Sequence, residues 1–468
     1  MTLSATQIQA IVDATKTPTP EQVRVVEAPR RPLLVVAGAG SGKTETMSMR
    51  VLWLLANHPD LTPDSILGLT FTRKAAGELG DRLRERIRLL SRELPQLSER
   101  LDEDPVTLTY NSFAERIVSE HGMRIGIDPD FSMLSEAGAL DLMTQIVEAW
   151  PTDLDDDLSP AGVVGRVLHL AGEIAEHGYT VESARQALEG FGRELEIVGD
   201  SNKAAQELHQ ANQRRIAFLG PIEAYQKRKR EMGLLDFSDQ LVLATRIVRE
   251  VPSVRAALRE EFRAVLLDEF QDTSVIQMEL LSTLFGDHAV TAVGDPNQAI
   301  YGWRGASASS LETFLERFQT GAPEEGQTLT LSTAWRNDVS ILDAANRVAE
   351  PLCEVASYQV GKEQLNAQSP VLVPRPGAGR GVVEIAYPAA YEDALAATVD
   401  FVRRVRSQAT KEGKRRTVAV LSRRRKDFPL IDAALREAGI PTEIVGLGGL
   451  LDQPAVQDVR AALELAYD

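Results

Sequence analysis

Residues 33–44 read LLVVAGAGSGKT, and this stretch decides the fold. Its first four residues are apolar and a glycine-containing turn follows at once, as is typical of a short buried strand. Beyond the Lys-Thr pair, apolar residues recur at helical spacing at Met47, Val51, Leu54 and Leu55. A strand, a glycine-rich loop, Lys-Thr and a helix in this order predict a loop that binds phosphate groups.

The predicted loop has a defined chemistry. Its backbone N–H groups and the positive end of the following helix favour a phosphate anion. Lys43 would reach the β- and γ-phosphates of a nucleotide, and the Thr44 hydroxyl would bind Mg²⁺. The alternative is a glycine-rich turn that binds no ligand. The prediction of nucleotide binding covers Ala37, Gly38, Ala39, Gly40, Ser41, Gly42, Lys43 and Thr44, although Ala37 stands where the motif usually has glycine.

Composition limits the class of protein. The chain has 468 residues, of which 43% are hydrophobic and 25% charged, as in ordinary globular proteins of several domains. Its first residues lack the basic and apolar parts of a signal peptide, and no apolar run is long enough for a membrane span. The single cysteine fits a reducing compartment, so we expect a cytoplasmic protein. The histidines and the cysteine do not cluster at zinc-site spacing.

The net charge of −17 argues against a wholly basic nucleic-acid binder. It does not exclude a locally basic groove for a single strand, because charges act over a Debye length of ~8–10 Å.

Strands and helices alternate along most of the chain. Short apolar runs predict further strands at residues 66–69, 106–109, 264–267 and 289–293. Such alternation is typical of an α/β fold with a parallel sheet. We predict that residues 1–120 and 220–325 form one α/β domain and that 121–219 form a helical insertion. We expect residues 326–468 to form a second α/β unit, which the segments 331–337, 382–387 and 417–421 suggest.

The strand at 264–267 is followed by Asp268 and Glu269. Two carboxylates at the end of a buried strand are costly unless they are paired or bind a metal. Asp268 would hold Mg²⁺, and Glu269 would orient and deprotonate the attacking water. Gln298 lies just past the next strand, where it would sense the γ-phosphate. Capping carboxylates and a turn glutamine are the alternatives.

Two arginines are candidates for the transition state of phosphoryl transfer. Arg304 and Arg336 flank a predicted linker at residues 321–326. An arginine that reaches the transition state is worth ~10³–10⁵ in rate. Placed on opposite walls of a cleft, the two arginines would make hydrolysis depend on closure. A surface salt bridge is the alternative for each.

Aromatic residues follow the predicted strands on one rim of the sheet. They are Phe71, Tyr110, Phe113, Tyr301 and Trp303. In a chain with 5% aromatic residues, this placement suggests a platform for unpaired bases, worth ~1–3 kcal/mol per base. Packing in the core is the alternative for each.

Six motifs resemble, in order, those of the UvrD/Rep/PcrA branch of superfamily 1 DNA helicases. They are AGAGSGKT (37–44), TFTRKAA (70–76), DEFQDT (268–273), VGDPNQAIYGWRGA (293–306), LSTAWRN (331–337) and VAVLSRRRKDF (418–428). The resemblance implies a RecA-like P-loop domain with a parallel sheet (1A), a helical insertion (1B) and an incomplete second RecA-like domain (2A). It also implies ATP and Mg²⁺ as cofactors, and 3′-to-5′ movement on single-stranded DNA and its junctions with duplex, in repair and recombination.

The resemblance further implies roles for individual residues. ATP would be bound or hydrolysed with Gln22, Lys43, Thr44, Asp268, Glu269, Gln298, Arg304, Trp335 and Arg336. DNA would be bound by Thr70, Phe71, Thr72, Asn111, Tyr301 and Trp303. Glu45 stands where better-known members carry an arginine against adenine, and Asn111 replaces a frequent histidine.

Finer features are similar to one subgroup. GKTETMSMRVLWLLAN, LGLTFTRKAAGEL and DFSD at residues 236–239 resemble the motor subunits of actinobacterial helicase-nucleases, AdnB-like and related to AddA and RecB. This resemblance implies a second motor or nuclease subunit as a partner.

Some features of the family are missing from the sequence. A Thr-x-His-x-x-Lys-Gly motif and a later arginine motif do not occur before residue 468. We therefore expect the front part of a longer protein, with little turnover by itself. The rival hypothesis is a nucleotide-binding module that clamps DNA without productive hydrolysis.

Overall fold

The computed structural model describes residues 2–128, 130–152, 154–155, 158–198, 203–302, 310–319, 327–359, 369–409, 413, 415–445 and 454–467. The chain divides into two compact units, Met1–Gly381 and Val382–Asp468. No helix in the described ranges is long and apolar enough to cross a membrane.

A six-stranded, wholly parallel sheet organises the first unit, in the order β3-β2-β6-β7-β1-β8. The described strands are β1 (Leu33–Ala37), β2 (Ile66–Thr70), β3 (Val106–Thr109), β4 (Ser132–Met133), β5 (Leu234–Leu235), β6 (Ala264–Leu267), β7 (Val290–Gly294), β8 (Gln327–Leu331), β9 (Thr333–Ala334) and β10 (Val373–Pro374). The predictions of a mixed α/β fold and of the central strands are confirmed. The pairs β4–β5 and β9–β10 form two small parallel ladders.

Helices connect the strands and cover the sheet. In the first unit they are α1 (Ala5–Val12), α2 (Pro20–Val26), α3 (Lys43–Asn57), α4 (Arg73–Glu93), α5 (Tyr110–His121), α6 (Glu136–Glu148), α7 (Pro160–Glu176), α8 (Val181–Val198), α9 (Lys203–Glu231), α10 (Phe237–Glu250), α11 (Pro252–Glu261), α12 (Val275–Phe285), α13 (Phe314–Phe318) and α14 (Val339–Gln359). In the second unit they are α15 (Tyr391–Ser407), α16 (Phe428–Glu437) and α17 (Pro454–Tyr467).

The central sheet is buried on both faces. Along β1, Leu34 and Val36 belong to one apolar cluster, while Leu33 and Val35 belong to another. Successive side chains of a strand point to opposite faces, so the two clusters lie on the two sides of the sheet. Burial on both faces explains why β1 reads as a continuous apolar run.

The segment between β3 and β6 is largely helical, as predicted, and has its own apolar cluster. Helices α6, α7, α8 and α9 supply most of it. Helix α9 runs without interruption through residue 219, where the sequence placed the end of the insertion. The proposed domain limits at 120, 219 and 325 remain predictions, and residue 325 lies outside the described ranges.

The second unit differs from the prediction. Residues 382–387 and 417–421 are not part of a strand, and the β-pairing in the described part of this unit is one bridge between Ala409 and Arg415. Ile385 is 91% exposed and Leu421 is 93% exposed. A strand needs a neighbour for its backbone groups, and apolar patterning alone does not supply one.

Candidate active site

The loop after β1 adopts the backbone geometry that a phosphate-binding loop needs. Gly40 and Gly42 have φ of +75° and +84°, in the left-handed region that favours glycine. Gly42 is also the residue that precedes the first turn of α3. The N-terminus of α3 therefore opens directly onto the loop, where its free N–H groups can bind an anion.

Helix α2 and the segment that follows β9 pack against this loop. The Trp335 backbone N–H donates to the Gly40 carbonyl at 2.9 Å. A Cβ placed on Gly42 would lie 3.2 Å from Gln22 Nε2 and 3.7 Å from Trp335 Cδ1. A Cβ on Gly40 would lie 3.1 Å from the Cβ of Arg336. The structure thus brings to the loop Gln22 and Trp335, which were predicted to contact adenine, and Arg336. The side chains of Trp335 and Arg336 are exposed.

Lys43 makes an ion pair with the predicted catalytic carboxylate. Its Nζ donates to Glu269 Oε2 at 2.8 Å, and Gln271 Nε2 donates to the same oxygen at 2.8 Å. Burial alone would raise the pKa of Glu269, but the Lys43 charge and these hydrogen bonds outweigh it and leave the pKa lowered. Glu269 therefore stays ionised beside the loop.

Asp268 has the opposite environment. Its side chain is buried, and burial together with the charge of Glu269 raises its pKa to about 6. The pKa of Asp272 is also raised to about 6, by burial and by Glu269. These three carboxyl groups share the charge of Lys43, so the site has a surplus of negative charge.

This surplus fits a divalent cation. No group of three metal-binding side chains occurs in the described ranges. Mg²⁺ does not need one, because it is usually held by one or two carboxylates, waters and the phosphates of its substrate. Asp268 and the Thr44 hydroxyl are the protein groups that the sequence predicts for such a site.

Gln298 is hydrogen-bonded to Asp295, and both residues line a cavity together with the loop. Its Nε2 donates to Asp295 Oδ2 at 2.6 Å, and Ser369 Oγ donates to Asp295 Oδ1 at 2.8 Å. A cavity of about 950 Å³ has Gly38, Ala39, Asp295 and Gln298 in its wall. Its size is within the range of small-molecule pockets.

A pair of aromatic rings lies at the end of the sheet, past β2. The rings of Phe71 and Tyr301 are 4.9 Å apart at their centroids and tilted by 30°. Both side chains are half-buried. Next to them, Thr70 is buried and Thr72 caps α4 by accepting from the Ala75 N–H at 3.1 Å.

The other predicted aromatic residues divide into two groups. Tyr110 is 3% exposed and Phe113 is 0% exposed, so both pack in the core and cannot stack on a base. The stacking prediction is wrong for these two residues. Trp303 and Arg304 lie outside the described residues. Asn111 is half-buried, and its Oδ1 accepts from Gln277 Nε2 at 3.1 Å.

Glu45, the departure noted in the sequence, is paired with a residue of α4. Arg86 Nη2 donates to Glu45 Oε2 at 2.6 Å. The Cβ of Glu45 lies 3.9 Å from the position that a Cβ on Gly42 would occupy. The Glu45 carboxylate is therefore paired with a cation that comes from another helix.

Sequence reasoning missed two residues that support the site. Gln271 bridges two strand ends, since its Nε2 donates to Glu269 while its Oε1 accepts from the Asp295 N–H at 3.0 Å. Arg50, on α3, is 1% exposed and makes five hydrogen bonds that tie α3 to the end of α2 and to β7. Gln271 lies inside DEFQDT and could have been found there, whereas Arg50 lies in a helix with no such signal.

Comparison with known proteins agrees with this geometry. The family described as "UvrD/REP helicase N-terminal domain" matches residues 18–319. DNA helicase II of Escherichia coli K12 is 28% identical over 95% of this chain and 54% of its own length. DNA helicase II of Salmonella typhimurium LT2 is 31% identical over 70% of this chain and 40% of its own length. The ATP-dependent DNA helicase PcrA of Staphylococcus aureus Mu50 is 25% identical over 95% of this chain and 53% of its own length.

The chain spans about half the length of these relatives. The match nevertheless includes the loop after β1, the acidic end of β6 and the glutamine segment after β7, which are the parts that form the candidate site. With the family match over residues 18–319, the chain belongs to the UvrD/REP helicase family.

Proposed function

We propose that this chain is an ATP-driven motor that moves 3′ to 5′ on single-stranded DNA and separates duplex strands. The observation that carries the proposal is the arrangement of Lys43, Glu269 and Gln271 at the end of the sheet, next to a left-handed glycine loop. This arrangement has the parts for phosphoryl transfer to water: a cation for phosphates, a carboxylate base and a side chain that orients the base. The relatives' names as DNA helicases support DNA as the substrate.

The ion pair of Lys43 suggests how nucleotide binding prepares the base. A nucleotide phosphate would compete with Glu269 for the Lys43 ammonium group. Once Lys43 turns to the phosphate, Glu269 loses the charge that lowers its pKa. Its pKa then rises, and Glu269 becomes a stronger base for the attacking water. Gln271 keeps the carboxylate in place during this exchange.

Other side chains would complete the nucleotide site. Mg²⁺, held by Asp268 and Thr44, would neutralise charge on the phosphates. Trp335 would stack on the base, Gln22 would pair with its edge, and Arg336 would approach the phosphates over Gly40. We also assign to this site Gln298 and, outside the described residues, Arg304.

The DNA would lie at the ends of β2 and β3, where Phe71 and Asn111 follow the strands. Phe71 and Tyr301 present two neighbouring rings there, as a stacking platform requires. Thr70, Thr72 and Asn111 would contact the backbone of the strand, and Trp303 would add a further ring. Such a site favours unpaired bases over a closed duplex, including those at junctions.

The wider role is proposed from the sequence motifs. Their similarity to AdnB-like motor subunits supports work in DNA repair and recombination, with a second motor or nuclease subunit as a partner. The same similarity and the single cysteine support a cytoplasmic protein. Copurification of a second subunit with the tagged protein from its native host would test this part.

The nucleotide site is tested by calorimetry with a non-hydrolysable ATP analogue and Mg²⁺. We expect binding to the wild-type chain, weaker binding without Mg²⁺, and loss of binding in Lys43→Ala. Lys16→Ala, which removes an exposed lysine paired with Asp13, serves as the control. Equal affinities for the wild type and Lys43→Ala would contradict the assignment of the loop.

The DNA site is tested by fluorescence titration with a short single strand and a blunt duplex of equal length. We expect the single strand to bind more tightly, and increasing salt to weaken binding. Phe71→Ala should weaken binding of the single strand by ~1–3 kcal/mol. Tyr179→Ala removes an aromatic residue exposed on the helical insertion and should have no such effect. An unchanged affinity in folded Phe71→Ala would contradict the platform.

A further inference from the structure

The corner between β3 and α5 is hydrogen-bonded to the segment that carries the catalytic carboxylates. The Tyr110 hydroxyl donates to the backbone carbonyl of Asp268 at 2.9 Å. The two residues are 158 positions apart in the sequence and come from the ends of two strands, β3 and β6, on either side of β2. The bond therefore joins the corner that carries Asn111, a predicted DNA residue, to the segment that carries the two predicted catalytic carboxylates.

A second link runs parallel to the first. Gln277 Nε2 donates to Asn111 Oδ1 at 3.1 Å, and Gln277 Oε1 accepts from the backbone N–H of Ser274 at 3.1 Å. Two successive residues of the corner, Tyr110 and Asn111, are thus linked to the two ends of the segment 268–274. A displacement of the corner would therefore move both ends of this segment.

The peptide unit held by Tyr110 is the one that joins the two carboxylates. Its carbonyl belongs to Asp268, and its N–H, from Glu269, donates to Asp268 Oδ1 at 3.0 Å. Glu269 has φ of +49° and ψ of +43°, a left-handed conformation that residues other than glycine rarely adopt. The right-handed region, which residues other than glycine usually adopt, would place the two carboxylates differently.

The Tyr110 hydroxyl is suited to hold this arrangement. The ring is buried in the core beside Phe113. Burial and the negative charge of Asp268 hold the pKa of Tyr110 well above its ordinary value. The hydroxyl stays protonated at any physiological pH and can always donate.

We propose that Tyr110 is a positioning residue that couples DNA at the β3–α5 corner to nucleotide binding at Asp268 and Glu269. A strand bound at Asn111 shifts the corner, Tyr110 and Gln277 transmit the shift, and the peptide between the two carboxylates settles in one arrangement. The affinity for Mg²⁺-nucleotide then depends on DNA, and the affinity for DNA depends on nucleotide by the same factor. This inference rests on the proposed function.

The test measures a coupling factor by binding. The affinity for a non-hydrolysable ATP analogue with Mg²⁺ is determined by calorimetry with and without a saturating single-stranded oligonucleotide. For the wild type we expect the two affinities to differ by about fivefold or more. Tyr110→Phe removes one oxygen and keeps the ring, and we expect it to lower the factor by roughly threefold or more, to a limit of one, since one buried hydrogen bond has an effect of this size. The reciprocal titration, DNA with and without the analogue, must give the same factor.

A matched control separates coupling from stability. Tyr225 is 2% exposed on α9, and Tyr225→Phe also removes a buried tyrosine oxygen. We expect Tyr225→Phe to keep the wild-type factor. Thermal unfolding of both variants verifies that they are folded.

Each remaining outcome has a distinct meaning. A factor in folded Tyr110→Phe equal to that of the wild type would overturn the inference. So would a wild-type factor of one, with both ligands bound, and the proposed nucleotide and DNA sites would then still hold. If the wild type bound neither ligand, the proposed function would fail first, and the inference with it.

Discussion

Asp268 and Glu269 are neighbours in the sequence, yet their carboxyl groups have opposite electrostatic environments. Lys43 and Gln271 stabilise the charge of Glu269, whereas burial and Glu269 itself disfavour the charge of Asp268. A raised pKa in the folded state means that ionising Asp268 costs stability. At neutral pH this cost is about 3 kcal/mol for a carboxyl whose pKa moves from 3.8 to about 6.

The two carboxylates should therefore respond oppositely to neutralisation. Without ligands at pH 7.5, we expect Asp268→Asn to stabilise the fold by up to about 3 kcal/mol, since the amide oxygen can still accept from the Glu269 N–H. Glu269→Gln should destabilise it, because Lys43 would be left half-buried without its ion pair. Urea denaturation at pH 7.5 measures both changes, and equal signs would contradict this account.

The pH dependence follows from the same shift. The folded state keeps the Asp268 proton up to about pH 6, while the unfolded carboxyl loses it near 3.8. The contribution of Asp268 is therefore present below pH 3.8 and is lost as the pH rises through 6. In Asp268→Asn this part of the pH dependence should disappear, so its gain over the wild type should be large at pH 7.5 and small at pH 4. A gain that did not vary with pH would exclude the titration of Asp268 as the cause.

Among individual residues, the sequence could predict the site residues that follow a strand directly and belong to a recognisable motif. Lys43, Asp268 and Glu269 are of this kind, and the structure brings them together. Tyr110 was expected to be a stacking residue and is instead a buried hydrogen-bond donor. Its partner is 158 residues away, and nothing in the sequence reports which backbone carbonyl a tyrosine will reach.

The elements around the proposed nucleotide site are joined by one buried arginine. Arg50, on α3, donates to the carbonyls of Val25 and Val26 at 2.9 and 3.2 Å, which lie at the C-terminal end of α2. A cation there stabilises the helix dipole and satisfies carbonyls that lack helical partners. Burial lowers the pKa of Arg50 to about 10, so it remains charged at neutral pH. Helix α2 carries Gln22, and Arg50 thus fixes Gln22 relative to the loop.

Replacing Arg50 should affect stability and base recognition together. We expect Arg50→Met to destabilise the fold by about 2–5 kcal/mol, because several buried carbonyls lose their donor. The preference for ATP over GTP should also fall, since α2 no longer holds Gln22 in register. Urea denaturation and competition binding measure the two effects.

Arg24 provides the matched control, because it lies on α2 and is exposed. Arg24→Met should change the free energy of unfolding by less than about 0.5 kcal/mol. Similar effects of Arg50→Met and Arg24→Met would show that the buried hydrogen bonds of Arg50 contribute nothing.

The two units of the chain explain which elements could be predicted. In the first unit, β1 is flanked by β7 and β8 and is covered on both faces, so an apolar run became a strand. In the second unit, residues 382–387 and 417–421 have the same kind of pattern but pair with no strand among the described residues. The pattern records a preference for burial, and neighbours decide whether a strand forms.

At the scale of the whole molecule, the units differ in how much core they have. Among its described residues, the first contains three large apolar clusters. In the described part of the second, the core consists of Val402, Leu435 and Ile440, with a few partly buried neighbours. Because apolar burial is the main stabilising contribution to a fold, the second unit should be much less stable.

This difference predicts two unfolding transitions in calorimetry, the lower one belonging to the second unit. Hydrogen exchange should be fast in α15 and α16 and slow in β1 and β6, because exchange reports local opening.

The proposed nucleotide site lies in the first unit, so the ATP analogue with Mg²⁺ should raise the upper transition. At 100 times its Kd, it would add about 2.7 kcal/mol to that unit. In Lys43→Ala the analogue should change the temperature of neither transition. A single transition that moves as a whole with the analogue would contradict this account, since a ligand can stabilise the second unit only if that unit unfolds together with the site.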